Sequence, residues 1–183
     1  GGTSMTMNIA REFQTPTIEV VSTDPSVNSY ISSNKSLNLY QLKSSYYSTV
    51  TLKVYSLGGS VLQLPGGVEA DLAESNTKEH NYVIKYKTSS LSLSDVNSGT
   101  LYVKNLSDET KREAIAVIFK SSLPTVTSNR DGQGITYNCT TSDIDIYIKE
   151  NIGTAGETGF TFIFTSPVGY NFTSISESNA QNF

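Results

Sequence analysis

One histidine, one cysteine and scattered carboxylates are the residues with which this chain could do acid–base, nucleophilic or metal chemistry. His80 lies in Lys78-Glu79-His80-Asn81, a polar turn leading into a strand, and reads as a surface histidine. A hydrolase triad could be built only around it, and there is no G-x-S-x-G elbow. Cys139 is alone, so one chain can form neither a disulfide nor a cysteine-based zinc site. Its neighbours Tyr137, Thr140 and Thr141 mark it as a small strand residue packed inward, with no adjacent cation to lower its pKa. Asp143 and Asp145 are two residues apart on an expected strand and share a face, where they could hold Ca²⁺ with a third oxygen from Asp131 or do acid–base work. The same pair also serves as a solvent-facing guard against strand-to-strand aggregation. We prefer that reading, because Asp131-Gly132-Gln133-Gly134 lacks the regular acidic spacing of a Ca²⁺ loop. Gly58-Gly59 and Gly66-Gly67 lack the Lys-Ser/Thr and following helix of a phosphate loop. The sequence therefore assigns no catalytic residue, no metal ligand and no cofactor, and the chain is read as not an enzyme.

Tyrosine is the remaining candidate. Tyr30, Tyr40, Tyr46, Tyr47 and Tyr55 crowd the first third of the chain, and a phenol offers a flat apolar face with a polar tip, suited to sugar or protein contacts. Alternate tyrosines on strands also fill a core or rim. Of the five, Tyr46, Tyr47 and Tyr55 are the candidate ligand-contact residues. A net charge of −4 and a pI near 5.0 argue against a nucleic-acid partner, which needs clustered positive charge. The one basic pair, Lys111-Arg112, sits between Glu109 and Glu113 and reads as a solvated loop. Asn34, Asn105, Asn138 and Asn171 each open an N-x-S/T triplet, about as many as so Ser- and Thr-rich a chain produces by chance.

The elements that would position these groups are strands. Tyr and Phe number 11 and 7, charged residues make up only 16%, and the Ala, Glu, Lys and Leu runs that favour helices are scarce. The clearest stretch, Thr100–Lys120, reads as two apolar strands, Leu101–Lys104 and Ala114–Phe119, around a polar loop, and so as a β-hairpin. About 45 residues later the pattern returns in Ile146–Lys149 and Gly159–Phe164, and a second hairpin is expected there. Tyr46–Leu57 alternates with Val50, Leu52 and Val54 on one face, and Asn81–Thr88 alternates with Tyr82, Ile84 and Tyr86 on one face. Shorter strands are expected at Thr17–Ser22, Leu37–Leu42, Val61–Leu64 and Gly134–Cys139. Leu91 and Leu93 are expected to point one way. The best helical candidate is Val68–Ser75, only about two turns long.

Ten to twelve short strands without a βαβ rhythm predict an all-β, antiparallel β-sandwich, as one elaborated domain or two small modules. The expected divisions are an N-terminal arm over 1–16, a β-sandwich over 17–123 and a second β module, or a continuation of the first, over 124–183, with Leu123-Pro124 and the turn Asn129–Gly134 as the linker or domain boundary. Met5, Met7, Ile9 and Phe13 give the arm apolar content suited to a neighbouring subunit. No segment approaches the roughly 18 consecutive apolar residues of a membrane-spanning helix, so membrane insertion is not expected. Gly1-Gly2-Thr3-Ser4, without an initiating Met, reads as a mature or a cloning-derived end.

Over Leu101–Phe119 and Ile146–Phe164 the chain resembles the terminal hairpin of bacterial immunoglobulin-like modules, above all the BACON-type modules of gut Bacteroidetes and their phages. There a strand ending in an Asn-containing turn is followed by a returning strand of alternating apolar residues. The chain departs from that pattern in having no tryptophan. The resemblance implies an immunoglobulin-like, non-enzymatic module outside the cytoplasm and carries over no functional residue. Two functions are thus expected: a structural or adhesive protein (a virion decoration or tail component, or a bacterial surface module), or a carbohydrate-binding module of a glycan-utilisation protein. Protein partners, self-association through the arm, and glycans are the corresponding partners, and the location is extracellular, at a cell surface or on a virion.

Overall fold

The computed structural model describes residues 1–42, 47–87, 92–149, 159–168 and 171–172. Every regular element among them is a strand. The centre of one sheet is the pair β4 (Tyr47–Tyr55) and β8 (Glu79–Lys87), antiparallel with Val50 opposite Ile84 and Leu52 opposite Tyr82. Their period-two pattern buries Ser48, Val50, Leu52, Val54, Tyr82 and Ile84 and turns Thr49, Thr51 and Lys53 outward. β1 (Thr17–Asp24) lies against β4, with an irregularity between Val20 and Ser22, and β6 (Val68–Ala70) lies against β8. The order is β1-β4-β8-β6.

The second sheet is built on the expected hairpin, now longer than the sequence suggested. β9 (Val96–Asn105) and β10 (Asp108–Lys120) turn at Leu106-Ser107, so the charged stretch Asp108–Glu113 is strand rather than loop. Asn105 shapes the turn by accepting the Ser107 N–H at 2.9 Å, an Asx contact that replaces a backbone bond. β3 (Ser36–Tyr40) runs parallel to β10, flanked by β2 (Ser29–Ile31); β5 (Ser60–Gln63) and β7 (Glu74–Ser75) extend the other side. The order is β2-β3-β10-β9-β5-β7. Leu37, Leu39, Leu62, Leu101, Val103, Ile115, Val117 and Phe119 from this sheet join Val50, Leu52, Val54, Val68, Tyr82 and Ile84 from the first in one core. The protein is thus all-β and predominantly antiparallel, with two sheets contributing to one apolar interior.

Val68–Ser75 is not a helix. Two turns nucleate poorly alone, whereas pairing Val68 with Tyr86 buries the valine, and the next five residues cross to the other sheet as β7. The turn before β5 depends on Gly59, whose φ of 81° is left-handed and whose added Cβ would lie 2.7 Å from the Ser75 carbonyl oxygen. Gly59→Ala is therefore expected to cost about 2 kcal/mol in chemical unfolding. An unchanged midpoint would refute this account of the turn.

The second expected hairpin does not form among the described residues. β13 (Ile144–Ile148) pairs with β12 (Ile135–Cys139), and β14 (Phe162–Thr165) pairs with β11 (Thr125–Ser128), giving two separate two-stranded ladders. Both sequence repeats are apolar strands, but only the first pair of strands meets across a two-residue turn. In the second, the alternation of β13 finds a better complement in Ile135, Tyr137 and Cys139. Every described strand pairing lies within 17–120 or within 125–165. Residues 1–16 form no strand, and no described helix is long and apolar enough to cross a membrane. Leu93 is exposed at a bend; Leu91 lies outside the described residues.

Candidate functional site

Alternation on β4 decides where the candidate tyrosines go. Tyr47 and Tyr55 occupy its two ends on the outward face, 42% and 38% exposed, while Tyr46 lies outside the described residues. Lysines sit over both rings: Lys85 Nζ is 6.0 Å from the Tyr47 centroid and Lys78 Nζ is 5.0 Å from that of Tyr55, so each ring has a cation–π neighbour. Eight residues of strand separate the rings by about 26 Å, so they cannot bracket one sugar residue. Tyr55 instead walls a groove of 180 Å³ with Arg11, Phe13, Ser56 and Leu57, where the root of the arm meets the end of β4.

A second recess, of 200 Å³, was not anticipated from the sequence. It lies between Pro16, Ile18, Tyr30, Ser32, Lys35 and Glu113. Lys35 has a left-handed φ of 53°, rare for a side chain with a Cβ, and its ammonium pairs with Glu113 at 3.3 Å. Its carbonyl accepts the Ala116 N–H at 2.8 Å, which anchors that conformation to β10. Burial pushes the Tyr30 phenol above its ordinary pKa, with Lys35 opposing and Glu113 reinforcing the shift. A phenol held protonated in this way is a hydrogen-bond donor rather than a base. The recess is smaller than the usual ligand cavity of about 300 Å³ and more. The turn at Asn34-Lys35 was its only sequence signal.

His80 is not the surface residue its polar neighbours suggested. The register of β8 turns it to the inner face, half-buried and edge-on to Tyr82 with ring centroids 4.6 Å apart. Its Nε2 is buried without a hydrogen-bond partner. Cys139 ends β12 on the half-buried face, opposite Ile144. Asp143 precedes β13 and closes a local turn with Thr140 and Ser142, while Asp145 faces solvent beside Asn138. Asp131 accepts the Tyr137 hydroxyl and the Ser128 N–H, contacts that hold its carboxyl below the usual carboxylate range. Three or more His, Cys, Asp or Glu are nowhere gathered as a metal site among the described residues. Asn105 is 1% exposed, so its N-x-S triplet cannot accept a glycan in the folded chain. The Asp108–Glu113 stretch is laced by Lys104–Glu109 at 3.1 Å and by Arg112 over Tyr102 at 4.5 Å, as a solvated strand face is.

The most exposed large apolar groups belong to the arm. Met5, Met7 and Ile9 are 97%, 82% and 87% exposed, whereas Phe13 is half-buried, Pro16 is buried, and the Asn105 side-chain amide donates to the Gln14 carbonyl at 3.0 Å. The root is fixed and the apolar segment stands clear of the core.

The chain matches no protein-family model, no curated protein and no solved structure.

Proposed function

We propose that this chain is a non-enzymatic structural or adhesive protein acting outside the cytoplasm, as a component of a virion surface or tail or as a bacterial surface module. The observation that carries the reading is the arm. A segment that presents two methionines and an isoleucine to water is unfavourable unless a partner covers it, and its root is tied to the body by the Asn105–Gln14 hydrogen bond. Self-association through the arm follows, and multiplied weak contacts then supply avidity. The body is proposed to be an immunoglobulin-like β-sandwich of the BACON kind. In support, β1-β4-β8-β6 and the run β10-β9-β5 within β2-β3-β10-β9-β5-β7 are compatible with the A-B-E-D and G-F-C orders of such modules, with β2, β3 and β7 as additions.

The test is protease shaving of intact source cells or purified virions, followed by mass spectrometry. Peptides of this chain are expected in the shaved fraction, and recovery only after lysis, from the cytoplasm, would overturn the proposal. A second reading, a carbohydrate-binding module, is favoured by the exposed rings of Tyr47 and Tyr55 on a sheet face. A glycan array distinguishes the two. Under the structural reading the chain gives no signal; under the second, a signal appears and is lost in Tyr47→Ala or Tyr55→Ala.

A further inference from the structure

Two incomplete pieces of sheet lie at opposite ends of this chain. The first is the arm, where Met5, Met7 and Ile9 alternate with Thr6, Asn8 and Ala10. This is the period-two pattern of a strand with one face buried, yet these residues pair with no strand among the described residues and Met5, Met7 and Ile9 are exposed. The second is the β11–β14 ladder. Among the described residues it has two strands, as the β12–β13 ladder also has, fewer than the three usually needed for a stable sheet in water. On β14 and just before it, Phe160, Phe162 and Phe164 repeat at the same period, with ring centroids 6.2 and 6.4 Å apart along the strand. Phe160 is exposed and the other two are half-buried, with Val126 opposite Phe164 on the same face.

Most of the other described sheet edges are guarded or short, whereas β11 and β12 are uncharged like β14 but carry no run of alternating aromatic rings. β1 carries Glu19 and an irregularity at Val20/Ser22; β2, β6 and β7 have two or three residues each; β13 carries Asp145 on its exposed face. β14 has no charge, proline or irregularity between Phe160 and Thr165, so it lacks the devices that usually prevent strand addition.

We infer that the arm of one copy adds as a strand to the side of β14 away from β11 in the next copy, placing Met5, Met7 and Ile9 alongside Phe160, Phe162 and Phe164. This rests on the structural reading above and names its contact. The two apolar triplets have equal length and period, and thioether-to-ring contacts are favourable at the spacing of paired strands. Because donor and acceptor are different surfaces, the contact is head-to-tail, and successive copies join into an open chain or, where the rotation between them closes, a ring.

The experiment compares the full chain with a form lacking residues 1–12 and with Met7→Lys, by light scattering across concentration. Neither change touches the folded core. The full chain is expected to give a ladder of species, and both altered forms a monomer. A synthetic peptide of residues 3–12, added to the arm-deleted form, is expected to slow hydrogen exchange of the 160–165 amides about tenfold and leave β1 unaffected. The Met7→Lys peptide is expected to do nothing. Protection at β1 instead, or equal association with and without the arm, would overturn the assignment of β14. A full chain that is monomeric with residues 160–165 already protected by its own arm would overturn the intermolecular contact. Shaving of intact cells or virions reads the extracytoplasmic placement independently, so that reading survives or fails on separate data.

Discussion

Tyr82→Ala is expected to lower the free energy of unfolding by about 4 kcal/mol, within the range for removing a large buried ring. Tyr82 is fully buried on the inner face of β8, beside the core residues Leu52 and Ile84. Its phenol reaches across the interior to the other sheet, donating to the Ser60 carbonyl at 3.1 Å and lying 2.8 Å from the Ser60 hydroxyl. Two effects are therefore joined in one side chain, ring packing and a polar tether between layers. Burial raises the phenol's pKa while the Ser60 contact opposes the shift, so the group stays a neutral donor. Tyr82→Phe keeps the ring and removes the tether, leaving the Ser60 hydroxyl without its partner, at an expected cost of about 1–2 kcal/mol. Far-ultraviolet circular dichroism in urea reads both variants without needing a tryptophan. If Phe and Ala proved equally destabilising, packing would not be the larger effect, and this description of the core would be wrong.

The second large effect is expected at Asn28, a residue 3% exposed between β1 and β2. Its amide nitrogen lies 2.7 Å from the Ser48 hydroxyl, 3.1 Å from the Thr49 carbonyl and 3.2 Å from the Asp24 carbonyl, and its oxygen accepts the Tyr40 N–H at 2.9 Å. One side chain thus joins the end of β1, the end of β3 and the start of β4, which belong to different sheets. Asn28→Ala strands several buried polar groups at once and is expected to cost about 3 kcal/mol. Asn28→Asp keeps the shape but sets a buried carboxylate against oxygen acceptors, and is expected to cost at least as much at pH 7. Those acceptors raise the folded-state pKa of the new carboxyl above its unfolded value. The protonated form is therefore favoured by folding, so the penalty relative to Asn28 is greatest above the folded pKa and shrinks as pH falls below it. Unfolding curves near pH 4 and pH 7 check the sign, and a penalty that grows on acidification would refute the hydrogen-bond assignment.

What could be read in advance follows from how local the cause was. The inward set of β4 was visible because Val50, Leu52 and Val54 recur every second residue, and the β9–β10 hairpin because two apolar runs, Leu101–Lys104 and Ala114–Phe119, flank one polar stretch, although that stretch is strand and not loop. The outward placement of Tyr47 and Tyr55 is the same alternation seen from the other face. Partner choice was not visible: β13 and β14 looked like a hairpin, yet each pairs with an earlier strand, which only tertiary register decides. His80 was misplaced for a related reason. Its neighbours Glu79 and Asn81 are polar because they face out, and that parity sends His80 inward. The Lys35 recess joins residues from 16 to 113, and no window of sequence contains it.

The parallel seam between β3 and β10 sets an order on the protein's own biogenesis. Its five register pairs, from Ser36 with Ala116 to Tyr40 with Lys120, join residues about 80 positions apart. On a ribosome synthesising the chain from its N-terminus, Leu37 and Leu39 emerge long before β10 exists to cover them. The nascent polypeptide must hold that greasy edge open while about 80 further residues are added, and this interval is when a chaperone has something to grip.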